Sequence, residues 1–277
     1  MTLTLAHSPD SDDAFMFHAL AEGRIPDALE YEHTLADIET LNREAERGTY
    51  DVTAVSFHGY ASVAGTYALL TTGASFGDGY GPTIVAKKKM DLKGRRIAVP
   101  GLRTTAFLAA RLWLPRFEPV VTPFDQVVDR VLEGRADAAL VIHEGQLTYR
   151  ARGLDLVVDL GAWWKETTGL PLPLGGNAVR RSLGPDTLAH VARDLRASIE
   201  YGLANRPAAI DHALRFARGL NRSDADRFIA MYVNQWTIDF GATGRTAIRR
   251  LLADGARAGI LATAPDVRFV EPDGTEA

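Results

Sequence analysis

The sequence predicts an α/β protein of two lobes facing each other across a crevice, with a helical C-terminal quarter packed on the first lobe. Strand and helix signals alternate from Leu3 to Ile142, the pattern that builds parallel sheets. A weak internal repeat sets Asp12-Asp13-Ala14-Phe15 on Thr104-Thr105-Ala106-Phe107, and Glu46-x-Gly48-x-x-Asp51 on Leu132-x-Gly134-x-x-Asp137. From Gly184 onward the alternation stops and amphipathic helices take over.

Each element has a local cause. Leu3–Ala6 is a short apolar strand followed by the Ser8-Pro9-Asp10 turn. Asp10 or Ser11 caps a helix whose first turn carries Asp12 and Asp13, the sign that the helix dipole favours, and Gly23 ends it. Leu29–Leu35 alternates as a strand, Asp37 caps a helix that stops at Gly48, and Asp51–Val55 is a buried strand ending at Ser56. The second half repeats this order with strand Arg95–Val99, a turn at Pro100–Arg103 and a helix opening at Thr104. Strand Val120–Thr122, helix Phe124–Leu132 closed by Gly134, and strand Ala136–Ile142 complete it.

Two extended segments, Pro82–Ala86 and Leu172–Val179, carry the chain between the halves. Helices are expected over Pro185–Ala204, Pro207–Arg218, Ser223–Trp236 and Thr243–Ala258, with breaks at Gly219, Gly241 and Gly259. The tail Glu271–Ala277 has no core-forming residues. The expected lobes are residues 1–86 with 178–277 and residues 87–177, closing by a hinge around a ligand. The glycine-rich run Gly73–Gly81 lacks the ending of a phosphate loop and reads as a mobile connection near that hinge.

A chain of 277 residues has room for two domains. With 46% hydrophobic and 24% charged residues it has the profile of a globular protein with a full core. A net charge of −4, with only the Lys87–Lys89 and Lys93 cluster standing out, gives no footprint for nucleic acid. The absence of cysteine excludes disulfides, thiolate nucleophiles and thiolate zinc sites. MTLTLAHSPDSDD has neither a basic nor an apolar leader region, and no apolar run reaches the length of a membrane span. A cytoplasmic location is therefore expected.

Open α/β sheets place ligands at the carboxyl ends of their strands, which orders the candidates. Strand Ala136–Ile142 delivers His143, an imidazole suited to proton transfer near neutral pH; the competing reading is a hydrogen-bonded loop histidine. Glu144 beside it is expected to point elsewhere. His7, Ser8 and Asp10 end the first strand and either line the cleft or serve only as turn and cap. Thr104 and Thr105 open a helix where hydroxyls and free N–H groups make a carboxylate site, or a plain cap. Ser56 has the same double reading. Asp10, Asp12 and Asp13 lack a histidine or second acidic motif at ligand spacing, so helix-start polarity explains them better than a metal. Trp163 and Trp164 read as core.

HSPDSDDAFMF near the N-terminus, DVTAVSFHGY, PGLRTTAFL and ALVIHEGQ stand in order along nearly the whole chain. In them the sequence resembles the 1,4-dihydroxy-6-naphthoate synthases of the futalosine route to menaquinone; SPDSDDAF and IHEGQ are the specific stretches. The resemblance implies a bilobed, periplasmic-binding-protein-like (type II) fold used as an enzyme. It implies a lyase that cleaves cyclic dehypoxanthine futalosine to 1,4-dihydroxy-6-naphthoate and a three-carbon sugar fragment, with no metal and no organic cofactor. The partner would be a small aromatic carboxylate. The family's proton acceptor corresponds to His143, and its substrate-contacting segments to Ala54-Val55-Ser56 and Thr104-Thr105-Ala106. The sequence departs from the family pattern at Ala54, where a Lys is usual, so a carboxylate must find another donor here. Two alternatives stay open: chorismate dehydratase of the same pathway and fold, and a non-catalytic solute-binding protein for a small carboxylate.

Overall fold

The protein is described by a computed structural model over residues 2–216 and 220–274. The expected helix end at Arg218, the break at Gly219 and the last residues of the tail lie outside the described residues. The first half contains β1 (Thr2–His7), α1 (Ser11–Ala21), β2 (Glu30–Leu35), α2 (Ile38–Glu46), β3 (Val52–Ser56), α3 (Phe57–Val63), β4 (Tyr67–Leu70) and β5 (Ser75–Gly77). Then follow β6 (Thr83–Ala86), β7 (Arg96–Val99), α4 (Thr105–Trp113), β8 (Glu118–Val121), α5 (Val127–Leu132), β9 (Ala138–Val141), α6 (Gly145–Thr148), β10 (Asp155–Asp159) and α7 (Leu160–Thr168). The chain returns through β11 (Leu172–Arg180) to α8 (Pro185–Ala204), α9 (Arg206–Leu214), α10 (Arg222–Tyr232), α11 (Gln235–Ile238), α12 (Gly241–Arg257) and β12 (Phe269–Val270).

Two sheets form. The first runs β12-β4-β11-β3-β1-β2, with β5 also paired to β11; the second runs β10-β6-β9-β7-β8. Each is built on three parallel strands, β2-β1-β3 and β8-β7-β9, flanked by one antiparallel strand, β11 or β6. Those flanking strands are the two extended crossings. Thr83–Ala86 therefore pairs in the second sheet and Leu172–Arg180 in the first, so the sheets exchange chain a strand away from the expected bounds at 86 and 178.

The internal repeat is physical in its second part. Gly48 and Gly134 take positive φ (65° and 73°) after α2 and α5, a conformation glycine adopts without cost. Three residues on, Asp51 Oδ2 accepts from the N–H of Thr4 at 3.0 Å and Asp137 Oδ2 from that of Arg96 at 2.9 Å. The first part of the repeat is displaced: the N-cap positions of α1 and α4 are Asp10 and Thr104, two residues out of the sequence alignment.

Helices α8 and α9 bury α1 on the first sheet, in a core containing Phe15, Phe17, Val191, Leu195 and Ile210. The C-terminal quarter does not belong to the first lobe alone. In α12, Ile248 and Leu252 join the first lobe's aromatic core around Phe57, Phe76 and Phe240, while Leu251 joins the second lobe's core with Leu108 and Trp164. Trp164 is fully buried there, as core. The 73–81 segment is packed rather than mobile: its β5 pairs with β11, and Asn177 donates to the carbonyl of Gly73 at 2.8 Å. At Gly77 and Gly161 an added Cβ would lie 2.0 and 1.8 Å from the carbonyl oxygen of Tyr80, so backbone passes where no side chain fits.

Candidate active site

The carboxyl ends of the parallel strands of both sheets open on one cleft, the place where open α/β sheets bind ligands. After β1 it is lined by Ser8, Asp10, Asp12 and Asp13; along β3 by Ala54, Val55 and Ser56; at the start of α4 by Thr104, Thr105 and Ala106. Ile142 closes it from the second lobe, and Phe228 and Tyr232 of α10 from the first. All six expected substrate-contact residues and two of the three tentative ones, Ser8 and Asp10, are thus together. His7 is not among the lining residues. It is buried, stacks on Phe17 with ring centroids 4.3 Å apart and donates from Nδ1 to the carbonyl of Ser8 at 3.0 Å. Burial holds its pKa down at about 3, so it is a neutral core ring.

The donor side of the cleft is built by α4. Thr104 is the N-cap: its hydroxyl accepts from the N–H of Phe107 at 3.2 Å and donates to the carbonyl of Gly101 at 3.0 Å. The N–H groups of Thr105 and Ala106 belong to the first turn, where a helix supplies no partner, and both residues line the cleft at the positive end of the helix dipole. The Thr105 hydroxyl accepts from the N–H of His58 at 3.2 Å, across the lobes. Ser56 is held by Asn42, whose Oδ1 accepts its N–H at 2.9 Å and whose Nδ2 donates to its hydroxyl at 3.2 Å. No Lys or Arg lines the cleft among the described residues, so the place of the Lys missing at Ala54 is left to N–H and hydroxyl donors.

The other group is acidic. Burial and the charges of Asp13, Asp10 and Glu144 hold the Asp12 carboxyl well above the usual carboxylate range. Burial also raises Asp13 to about 7, although its Oδ2 accepts from the N–H of Ser8 at 2.8 Å. Glu144 arrives from the second lobe, buried, with its Oε1 accepting from the hydroxyl of Ser11 at 3.2 Å. Tyr232 donates to Oε1 of Gln146 at 2.9 Å, a further contact across the lobes. Arg103 adds another outside the cleft, bonding both carboxylate oxygens of Glu46 at 2.7 and 2.9 Å.

His143 stands beside this group but its ring does not line the cleft. Its Nε2 donates to the carbonyl of Phe124 at 2.6 Å, and its Nδ1 accepts from the N–H of Gly145 at 2.9 Å. A carbonyl only accepts and an amide N–H only donates, so these partners fix the neutral tautomer with its proton on Nε2. The side chain is 12% exposed, and Nδ1 lies 3.9 Å from Glu144.

Sequence reasoning did not single out Asn42, Phe228 or Tyr232. Asn42 carried a signal: it follows Leu41 on the buried face of α2, and a buried amide needs a specific partner. Away from the cleft, His18, Glu22 and His212 bring ligand-type atoms within 4.8 Å of one another. The guanidinium of Arg215 pairs with both Glu22 and His212, so a cation already occupies the space a metal would take.

Two lobes of this topology with a cleft between them define a protein of the bilobed, periplasmic-binding-protein-like class. The alkanesulfonate-binding protein SsuA from Xanthomonas axonopodis shares the fold with a TM-score of 0.68, covering 94% of each chain at 15% identity. The chain belongs to the menaquinone biosynthesis family, which matches residues 3–257. It is 39% identical to the 1,4-dihydroxy-6-naphthoate synthase of Thermus thermophilus, over 97% of this chain and 99% of that one. It is 41% identical to the enzyme of the same name from Streptomyces coelicolor, over 96% and 97%. A crystal structure of an Archaeoglobus fulgidus protein is 46% identical, with a TM-score of 0.92 over 94% of this chain and 98% of that one.

Proposed function

We propose that the protein is a lyase of menaquinone biosynthesis that cleaves cyclic dehypoxanthine futalosine into 1,4-dihydroxy-6-naphthoate and a three-carbon sugar fragment. The observation that carries this reading is near-full-length identity of 39 and 41% to two synthases of that name, in a chain whose cleft offers uncharged donors for an aromatic carboxylate. The carboxylate sits against the N–H groups of Thr105 and Ala106 with the hydroxyls of Ser56 and Thr105, a helix-start anion site. Cleavage of the carbon–carbon bond is driven by the aromaticity of the product. The protein then has to take up one proton, hold the fragment and keep water away.

His143 is the base in this reading. Its Nδ1 lone pair is the acceptor, and it serves the substrate once the N–H of Gly145 lets it go. The lobes are residues carrying the first and second sheets, and they close over the substrate through the Ser11–Glu144 and Tyr232–Gln146 contacts. Among the described residues no helix is long and apolar enough to cross a membrane, and a cytoplasmic location is part of this reading.

The test is incubation of the purified protein with cyclic dehypoxanthine futalosine, followed by chromatography. Appearance of the naphthoate supports the reading. Tight binding without turnover would assign the protein to solute binding, and formation of a dehydrated product from chorismate would assign it to the sister reaction.

A further inference from the structure

The Ser11–Glu144 bond draws the second lobe's carboxylate onto the first turn of α1, where Asp12 lines the cleft. Glu144 adjoins His143 in the chain, so the Ser11–Glu144 contact brings the segment that carries His143 up to the turn that carries Asp12, from the opposite lobe. We propose that Asp12 is the proton donor of the reaction, a carboxylic acid whose proton passes to the three-carbon fragment as the carbon–carbon bond breaks. This inference rests on the lyase reading above.

The chemistry requires such a group. One proton leaves the ring system, from carbon or hydroxyl, and its electron pair enters the new π system. The bonding pair of the broken bond departs with the fragment and must be met by a proton. One proton is removed and one is delivered, so no net charge is created beyond the carboxylate the substrate already carries, and no water, oxidant or reductant is consumed. A base alone performs half of this exchange.

Asp12 fits the second half better than its neighbours. Asp13 is tied to the N–H of Ser8. Tyr232, facing Asp12 from α10, has its phenol proton committed to Gln146, and burial raises its pKa further from the working range. Glu144 accepts from Ser11. Burial first, then Asp13 and Asp10 on its own turn and Glu144 from the second lobe, keep the Asp12 carboxyl protonated at pH values where an ordinary aspartate is ionised. A protonated carboxyl in the cleft and an imidazole lone pair carried by the facing lobe are the pattern of an acid–base pair. The arrangement also orients the substrate. Its carboxylate is repelled by the ionised members of the acidic group and drawn to the start of α4, which leaves the hydroxylated fragment facing Asp12.

The test compares wild type and Asp12→Asn in kcat across pH, with affinity for 1,4-dihydroxy-6-naphthoate measured by titration. Wild-type turnover stands or falls with the lyase reading by itself. The expected result for Asp12→Asn is a loss of about 10²–10⁴-fold in kcat, product affinity within about threefold, and disappearance of the alkaline fall in activity. A second variant, Glu144→Gln, removes one charge beside Asp12 and is expected to move that alkaline fall to lower pH. An active wild type with Asp12→Asn retaining its kcat, or keeping the same alkaline limb, overturns the proposal. An unmoved limb in Glu144→Gln does so too, even should Asp12→Asn fail to fold.

Discussion

The amide N–H of Gly145 donates to Nδ1 of His143 at 2.9 Å, occupying the one lone pair the imidazole has to offer. With Nε2 bound to the carbonyl of Phe124, the ring is fixed in direction and tautomer, which suits a base waiting for substrate. The cost is that this hydrogen bond must open before proton transfer.

Gly145→Ala tests how tightly that ring must be placed. An added Cβ would lie 2.8 Å from Cγ1 of Val141 and 2.9 Å from Cε1 of His143, so the imidazole has to shift. A displacement of this kind costs on the order of 10²-fold in turnover. The expected outcome is that loss in kcat with an unchanged product Kd, read by steady-state kinetics and titration.

The proposed site divides Thr104 and Thr105 into a cap and a ligand contact. Thr104→Val removes the acceptor for the N–H of Phe107 and is expected to cost about 1 kcal/mol of stability. Thr105→Val keeps the helix but loses a hydroxyl against the substrate carboxylate, worth about 1.5–3 kcal/mol, so KM rises by about tenfold or more. Thermal melts and kinetics on both variants check the division.

Asn42→Leu leaves the N–H of Ser56 without its acceptor in a buried place. An unpaired buried donor costs about 1–3 kcal/mol. The expected outcome is a lower melting temperature together with a raised KM, because Ser56 is released from its position in the cleft.

Stability responds to pH in two opposed windows. His7 has a pKa of about 3 in the fold against 6.5 ordinarily, so the unfolded chain binds the extra proton between those values. Its contribution is complete above that window and is lost as pH falls through it. Asp13, raised from 3.8 to about 7, binds its proton more tightly when folded, so its contribution is lost as pH rises over that interval. Asp13→Asn is therefore expected to raise the melting temperature at about pH 8 and to leave it nearly unchanged at about pH 4. Calorimetry of wild type and variant at the two values checks it.

Much of the architecture was legible because its signals are local. Asp37 capping α2 by accepting from Thr40, glycines closing α2 and α5, and proline opening α8 at Pro185 all appear where the sequence places them. The helix expected over Ser223–Trp236 is two, because Asn234 turns back to cap α11 with Thr237. The glycines of 73–81 read as looseness, whereas Gly77 is required by the close approach of Tyr80; the pairing of β5 with β11 and the approach of Gly161 to Tyr80, which pack this segment, come from far along the chain. The cleft segments at Ala54–Ser56 and Thr104–Ala106 were legible from strand ends and a helix start. Asn42, Tyr232 and the Ser11–Glu144 contact were not, since each depends on which distant element faces it.

The central claim is that this cleft cleaves a carbon–carbon bond with His143 as base. It is tested most directly by His143→Asn, with turnover of cyclic dehypoxanthine futalosine and affinity for 1,4-dihydroxy-6-naphthoate measured on the same preparation. The expected result is a loss of about 10²–10⁴-fold in turnover with product affinity and melting temperature close to wild type. Turnover close to wild type would contradict it.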